Sequence, residues 1–272
     1  MSYLKINGNR LFYEGTGAGN PPLVFVHGFA CGHSDWRYQV AYFGRNNLVV
    51  ACDLRGHGRS GSIPGDYSIE TLSDDLGRLL KNLNIPPAIL IGHSMGCRVV
   101  LQTYNTMSQL VAALILVDGS RLATGNRRDA EQRARQTMQA TGYTAWMRHA
   151  FASMFFRGSD ASLRARIIRR AVSLPERVGV PLFASLCGWD AGQMDSALSR
   201  VRVPLLLIQS TTVNANMERV SLQPGAITPW LELVKKHVPG AQIEIVSDAG
   251  HFLMLEAPEA TNQLIASFLA SL

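Results

Sequence analysis

The sequence predicts an α/β domain built around a mostly parallel sheet, and three observations support this. Short apolar runs alternate along the chain with longer segments in which apolar residues recur at helical spacing. Most of the apolar runs carry no alternating polar residues, as is typical of strands buried on both faces of a parallel sheet. No internal repeat or low-complexity linker divides the chain, whose 272 residues suffice for one large domain or two small ones.

Eight strands are predicted. The first two form an antiparallel hairpin, because Asn7-Gly8-Asn9 separates two alternating runs and Asn-Gly is a preferred hairpin turn. The other six are apolar runs that we expect to be buried on both faces. In chain order the predicted strands are 3–6, 10–14, 23–26, 48–52, 88–91, 113–117, 204–208 and 242–246.

Helices are predicted between the strands. Residues 68–83 place five leucines on one stripe, the pattern of an amphipathic helix. A second helix, 95–105, follows the strand 88–91 after a short turn. Two more are predicted at 228–237 and 258–270, where Pro229 and Pro258 suit the first turn of a helix.

Residues 122–197 break this alternation, because they contain several helical patterns and no convincing strand. We interpret them as a helical lid, or cap, inserted after the sixth strand. Residues 1–121 and 198–272 then form the core that contains the sheet.

Aromatic and methionine side chains recur near helical spacing in the predicted lid. We expect most of them to form the lid's own core. Ligand sites favour such side chains, so some are candidates for a substrate pocket. The candidates are Trp146, Phe155 and Trp189 in the lid, together with Phe252 near the end of the chain.

Positive charge concentrates in one segment of the chain. Residues 121–170 contain eleven arginines and three acidic residues, a net charge of +8, whereas the whole chain carries +6. No nucleic-acid motif and no interleaving of aromatic and basic residues accompany the cluster, so we expect no nucleic-acid partner. We interpret it as a solvated helical face, and steering of an anionic small-molecule substrate is the alternative.

Other classes of protein are disfavoured by the composition. No apolar run approaches the length of a membrane helix, and the N-terminus lacks a signal peptide's apolar centre, so we expect a cytoplasmic protein without a membrane partner. The four cysteines are scattered and form no C-x-x-C pair, which indicates neither a zinc site nor a disulfide framework. Nothing in the sequence indicates a metal or an organic cofactor. The sequence is compatible with a homo-oligomer as well as with a monomer.

The strongest catalytic signal lies at the end of the strand 88–91. That strand runs into Gly92-His93-Ser94-Met95-Gly96, a G-x-S-x-G pattern, and then into a helix. The two glycines let the chain turn sharply enough to expose Ser94 Oγ at the carboxyl edge of the sheet. The bare pattern is weak, but the preceding strand and following helix make it specific, so Ser94 is the predicted nucleophile.

Two further features agree with this prediction. The strand 23–26 ends in His27-Gly28-Phe29, and the backbone N–H groups of Phe29 and Met95 are candidates for binding a developing oxyanion. His251 follows the last predicted strand, in a loop from which its side chain would reach Ser94 as a base.

With these motifs the chain resembles the α/β-hydrolase superfamily, in particular its branch of small esterases, cofactor-free haloperoxidases (perhydrolases) and meta-cleavage-product hydrolases. The matching stretches are residues 27–29, 53–60, 92–96, 250–252 and 256–259. The resemblance implies an α/β-hydrolase fold, in which helices cover both faces of an eight-stranded, mostly parallel sheet. In that family residues matching 53–60 are structural, so Asp53, Arg55 and His57 are not assigned to catalysis.

A catalytic triad also needs a carboxylate that orients His251 and stabilises its cationic form. The resemblance places this acid just after the strand 204–208, but residues 209–217 contain none. Asp118 is the preferred candidate, because it ends the strand 113–117, after which some family members carry their acid. Glu218 lies in the expected loop but several residues late, and a site without any acid is the third alternative.

The resemblance implies a serine hydrolase that cleaves a small carboxylic ester or thioester through an acyl-Ser94 intermediate. Two alternatives on the same fold are a carbon–carbon bond hydrolase acting on a ring-cleavage product and a cofactor-free oxygenase or perhydrolase. Serine at the nucleophile position argues against epoxide hydrolases and haloalkane dehalogenases. The intact Ser94 and His251 argue against a receptor without enzymatic activity.

Overall fold

The computed structural model describes residues 2–6, 8–62, 65–156, 158–214 and 219–272. Eight strands form one sheet in the order β1-β2-β4-β3-β5-β6-β7-β10. These strands are β1 (Ser2–Ile6), β2 (Asn9–Thr16), β3 (Leu23–Val26), β4 (Val49–Cys52), β5 (Ala88–His93), β6 (Val111–Val117), β7 (Leu205–Gln209) and β10 (Gln242–Ile245). Two short strands that the sequence pattern did not predict, β8 (Thr211–Val213) and β9 (Arg219–Ser221), form a separate antiparallel pair. All eight predicted strands are therefore confirmed, with ends within two residues of the prediction.

The direction of the strands follows the prediction. β1 and β2 form an antiparallel hairpin in which Ile6 pairs with Asn9, and β2 also pairs antiparallel with β4. Gly8 has a φ of 77°, as the tight turn between them requires. Asn7 lies outside the described residues. All other neighbours in the sheet are parallel.

Burial across the sheet matches the apolar runs except at one edge. Every residue of β3, β4 and β5 is buried, so both faces of the sheet's centre are covered. The expectation of burial on both faces is wrong for β10, where Gln242 and Glu244 are exposed while Ile243 and Ile245 are half-buried. β10 is the terminal strand of the sheet, and its alternating sequence fits that position.

The helices before the inserted segment are α1 (Arg37–Phe43), α2 (Ile69–Leu83) and α3 (Met95–Thr106). The helices after β7 are α9 (Pro229–His237), α10 (Leu253–Glu256) and α11 (Pro258–Ala270). The four predicted core helices are all present, whereas the sequence pattern missed the short helices α1 and α10. In the described parts of the chain, no helix has both the length and the apolar character needed to cross a bilayer.

Between β6 and β7 the chain forms helices and, among its described residues, no strand. The helices are α4 (Arg127–Thr141), α5 (Tyr143–Ala152), α6 (Ala161–Val172), α7 (Glu176–Gly192) and α8 (Met194–Ser199). α8 spans the predicted boundary at residues 197 and 198. That this segment acts as a lid stays a prediction.

A buried ion pair joins this helical segment to the sheet-containing core. Arg98 of α3 binds Asp190 of α7 through two hydrogen bonds of 2.9 and 2.7 Å, and both side chains are almost completely buried. Asp190 also accepts a hydrogen bond from the backbone N–H of Leu122, where the segment begins. The pair therefore connects α3, α7 and the entry to the helical segment. A second bidentate pair, Arg55 with Asp75, is also buried, but both of its residues belong to the core.

These two pairs predict different local effects of two matched substitutions. Asp190→Asn leaves the Arg98 guanidinium without a compensating charge and should lower the free energy of unfolding by about 3 kcal/mol. Asp75→Asn should also destabilise the protein, since it does the same to Arg55. Amide hydrogen exchange should become faster in α7 and near Leu122 only in Asp190→Asn. The same exchange pattern in both variants would contradict a local role for Asp190.

Candidate active site

Ser94 lies in a tight turn between β5 and α3. Its backbone angles, φ 54° and ψ −112°, are sparsely populated for a residue with a side chain. Glycine is required on both sides of it. A Cβ atom at Gly96 would lie 2.4 Å from the carbonyl oxygen of Val26, and one at Gly92 would lie 2.4 Å from that of Gly96. The G-x-S-x-G pattern thus reflects the close crossing of α3 over the strands.

The His27-Gly28-Phe29 turn lies directly against Ser94. A Cβ atom at Gly28 would come within 3.2 Å of Ser94 Cβ. Met95 is the first residue of α3, where backbone N–H groups have no partner within the helix. Among the residues that the structure describes, the N–H groups of Phe29 and Met95 donate no hydrogen bond. The two predicted oxyanion donors are therefore brought together next to Ser94 with their N–H groups unpaired.

A hydrogen bond to His57 holds the backbone directly after the His27-Gly28-Phe29 turn. The backbone N–H of Ala30, whose φ is 54°, donates to His57 Nε2 at 3.1 Å, while His57 Nδ1 donates to the carbonyl oxygen of Arg55 at 3.0 Å. Burial lowers the pKa of His57 to about 3, so the ring stays neutral and keeps Nε2 as an acceptor. These contacts agree with the structural role that the resemblance implies for residues 53–60.

The buried His251 side chain forms a short hydrogen bond with Asp118. Its Nδ1 lies 2.6 Å from Asp118 Oδ2, so Nδ1–H donates to the carboxylate and Nε2 is left as an acceptor. His93, the neighbour of Ser94, donates from Nε2 to the His251 carbonyl oxygen at 2.8 Å, and the two rings are 4.6 Å apart. His251 is thereby held beside the Ser94 turn, although Ser94 Oγ makes no hydrogen bond to any described residue.

The loop after β7 supplies hydrogen-bond donors to Asp118. The backbone N–H groups of Ser210 and Thr211 each donate to Asp118 Oδ1 at 2.8 Å. Thr211 Oγ1 donates to Asp118 Oδ2 at 2.5 Å, and Ser210 Oγ lies 3.1 Å from Oδ1. Arg219 Nη1 lies 3.4 Å from Oδ2 and donates to Thr211 Oγ1 at 2.7 Å. Every carboxylate oxygen of Asp118 is thus hydrogen-bonded.

The structure brings Asp118, the preferred acid from the sequence, to His251. Glu218 lies outside the described residues. No motif in the sequence indicated that Ser210, Thr211 and Arg219 contact Asp118. The polar stretch after β7, at a place where an acid was expected, was the available signal.

The charges of this buried group are balanced. Burial by itself raises the pKa of the Asp118 carboxyl, but the hydrogen bond from His251 and the charge of Arg219 hold it below its ordinary value. Burial lowers the pKa of His251, and Arg219 lowers it further, against the opposing effect of Asp118. Asp118 is therefore ionised and His251 neutral near pH 7, the state in which Nε2 accepts a proton.

Ser94 lines a cavity of about 680 Å³. Large apolar side chains form much of its wall, including Phe29, Trp146, Phe183 and Leu186. Its polar residues include Arg98, Arg133, His149 and Arg219. A cavity of this size and character accommodates a small organic molecule.

Of the four residues predicted to bind substrate, Trp146 lines this cavity. Phe155, Trp189 and Phe252 do not line it. Trp189 is fully buried and donates from Nε1 to Gln102 Oε1 at 2.9 Å. Phe252 is also fully buried and stacks on Phe155 with ring centroids 5.2 Å apart, and its ring meets His251 edge-on. Trp189 thus joins α7 to α3, while Phe252 packs between His251 and Phe155.

The cysteines do not extend the site chemically. All four are buried and unpaired. Burial raises the pKa of Cys97, which follows the Ser94 turn, to about 12, so it stays a thiol. In the ranges that the structure describes, no three His, Cys, Asp or Glu side chains cluster as a metal site would need.

Comparisons with known proteins place this geometry in a family. The model of the Alpha/beta hydrolase family matches residues 23–264. The chain is 26% identical over 271 residues to the dihydrolipoyllysine-residue acetyltransferase component of the acetoin cleaving system of Pseudomonas putida, covering 96% of this chain and 67% of that protein. It is 25% identical to 3-oxoadipate enol-lactonase 2 of Acinetobacter baylyi, covering 93% and 90%.

Among solved structures, a thermophilic esterase from Thermogutta terrifontis superposes with a TM-score of 0.82 at 24% identity, covering 100% of this chain and 99% of the esterase. That similarity shows the fold. The family match covers the strand–turn–helix around Ser94, the His27-Gly28-Phe29 turn and the loop that carries His251. The chain belongs to the alpha/beta hydrolase family.

Proposed function

We propose that the protein is a serine hydrolase that cleaves a small carboxylic ester or thioester through an acyl-Ser94 intermediate. The observation that carries this proposal is the buried Asp118–His251 hydrogen bond beside the strained Ser94 turn. This arrangement supplies a nucleophile, a base and an orienting acid, and the nucleophile opens into an apolar cavity.

In the first half of the reaction, His251 Nε2 removes the proton from Ser94 Oγ as that oxygen attacks the carbonyl carbon of the ester. The carbonyl oxygen becomes an oxyanion, which the unpaired N–H groups of Phe29 and Met95 bind. The tetrahedral intermediate then collapses. The bond to the alcohol or thiol breaks, and the leaving group takes its proton from His251.

In the second half, His251 removes a proton from water, which attacks the acyl carbon of the acyl-Ser94 ester. The same N–H groups bind the second oxyanion. Collapse releases the carboxylic acid, and Ser94 Oγ regains its proton from His251. In both halves the charge of Asp118 stabilises the imidazolium form of His251.

One feature favours this proposal over the cofactor-free oxygenase or perhydrolase, and the name of one relative supports ester cleavage. The cofactor-free oxygenase or perhydrolase alternative was motivated by the missing acid, and Asp118 now lies 2.6 Å from His251. An enol-lactone, the substrate named for the Acinetobacter relative, is a cyclic ester, and its opening follows the same steps.

Labelling of the nucleophile tests the proposal. The folded protein should react rapidly with an uncharged fluorophosphonate and hydrolyse p-nitrophenyl esters of short acids. Ser94→Ala should abolish both, because it removes the attacking oxygen without changing the fold. Mass spectrometry of the labelled peptide checks the site. Ester hydrolysis that persists in Ser94→Ala, or a folded wild type that is not labelled, would contradict the proposal.

The assignment of the acid makes a separate prediction. Asp118→Asn should lower kcat by about ten-thousandfold, because an amide cannot stabilise the imidazolium. Glu218→Gln should leave kcat unchanged within about twofold. Steady-state kinetics on one p-nitrophenyl ester measure both effects, with circular dichroism as the check that each variant is folded. A large loss in Glu218→Gln alone would assign the acid to Glu218 instead.

The charge of Arg219 near His251 leads to a prediction of how activity depends on pH. A general base must be neutral, so kcat/KM falls as pH drops through the pKa of His251. Burial and then the charge of Arg219 lower that pKa, so activity should persist below pH 6.5, the ordinary value for histidine. Arg219→Gln removes the positive charge and should move the acid limb of kcat/KM to higher pH.

The control is Arg200→Gln, which removes an equal charge from an exposed position. Its acid limb should coincide with that of the wild type. His93 and Asp118, which also face His251, are unchanged in both variants. An acid limb that stays in place in Arg219→Gln would show that Arg219 does not tune the base.

A further inference from the structure

The cavity that contains Ser94 is positively charged. Arg98, Arg133 and Arg219 all line it, together with His149. No aspartate or glutamate is among its lining residues in the described part of the chain. Among the described residues, an occupant of the cavity therefore meets cationic side chains and no anionic ones.

Two of the three arginines are already neutralised. Arg98 forms the bidentate pair with Asp190, and its Nη1 donates to the Ser94 carbonyl oxygen at 2.9 Å. Arg219 is paired with Asp118. Both guanidinium groups are buried and their charges compensated, so neither needs an anion from a ligand.

Arg133 differs from both. It is exposed, and among the described residues its side chain has neither an ion pair nor a hydrogen bond. Other arginines of the helical segment do find acids, as Arg121 does with Asp195 and Arg170 with Asp35. The uncompensated charge on the cavity wall is therefore that of Arg133.

The position of Arg133 on α4 is set by helical geometry. Ala130, Arg133, Ala134 and Thr137 all line the cavity, at the three- and four-residue spacing of one helix face. The two alanines leave room on either side of the arginine. Arg128 lies on the same helix but does not line the cavity.

We propose that the substrate carries a carboxylate at the end remote from the scissile ester, and that Arg133 binds this carboxylate at the cavity wall. The planar guanidinium fork matches a carboxylate in a bidentate contact. The apolar wall formed by Trp146, Phe183 and Leu186 accommodates an uncharged spacer between the two ends. The substrate class is then half-esters, or lactones, of dicarboxylic acids, and this inference rests on the proposed ester hydrolysis at Ser94.

A matched series of substrates tests the inference. Mono-p-nitrophenyl esters of dicarboxylic acids with six to ten carbons are compared with p-nitrophenyl esters of monocarboxylic acids of equal length. The wild type should prefer the anionic member at one or more lengths. Arg133→Gln should raise KM for the preferred half-ester about tenfold, the loss of one charge-assisted contact, and leave the neutral ester within about twofold. Arg133→Lys should retain part of the preference.

Arg128→Gln is the matched control, because it removes the same charge from the same helix away from the cavity. It should leave both series unchanged. Three outcomes would overturn the inference: no preference in the wild type, an equal loss for neutral and anionic esters in Arg133→Gln, or an equal effect of Arg128→Gln.

A binding measurement separates this inference from the proposed function. In Ser94→Ala, calorimetry measures binding of the same half-ester without turnover, and adding Arg133→Gln should weaken it about tenfold. If fluorophosphonate labelling and neutral-ester hydrolysis succeed but this difference is absent, only the carboxylate subsite fails. If labelling and hydrolysis fail, the proposed function fails whatever the binding result.

Discussion

The buried hydrogen bond between Asp118 and His251 imposes the strongest constraint on this structure. A carboxylate with no exposure to solvent destabilises a protein by several kcal/mol unless hydrogen bonds and opposite charge compensate it. Here Ser210 and Thr211 supply the donors and Arg219 supplies the charge. The loop after β7 is therefore built around an acid that it does not itself contain. Ser210 and Thr211 of this loop donate the hydrogen bonds that the buried Asp118 carboxylate, at the end of the neighbouring strand, requires.

The parallel sheet explains how the acid can stand after either strand. β6 and β7 are hydrogen-bonded neighbours, with Val117 opposite Ile208, so the residues that follow them leave the sheet side by side. Neighbouring strands are only about 4.8 Å apart. A carboxylate after β6 thus reaches the same histidine as one after β7. Strand patterns give no information about which of the two loops turns its acid inward, so the sequence left Asp118 and Glu218 as alternatives.

Local patterns were sufficient for the strands of the large sheet, for the long core helices and for the turn at Ser94, but not for the short helices α1 and α10. The strands and the Ser94 turn follow from periodicity and from glycines that the close crossing of α3 requires. The pocket did not follow, because helical spacing gives the residues that share a face but not the direction in which that face turns. Trp189 and Phe252 have the composition of pocket residues and yet are fully packed. The same limit separates Arg133, on the cavity, from Arg128, five residues earlier on the same helix.

The buried Arg98–Asp190 ion pair has a role besides stability, although burying two charges carries a large desolvation penalty. Replacing a buried ion pair with apolar residues is often neutral or stabilising, so stability alone does not account for it. Arg98 also binds the carbonyl oxygens of Ser94 and Ser120, while Asp190 holds Leu122. One pair thus fixes the Ser94 turn, the loop after Asp118 and the start of the helical segment relative to one another. An apolar replacement would preserve packing but lose this registration, and a cavity wall carried by α4 and α7 is useful to Ser94 only while that registration holds.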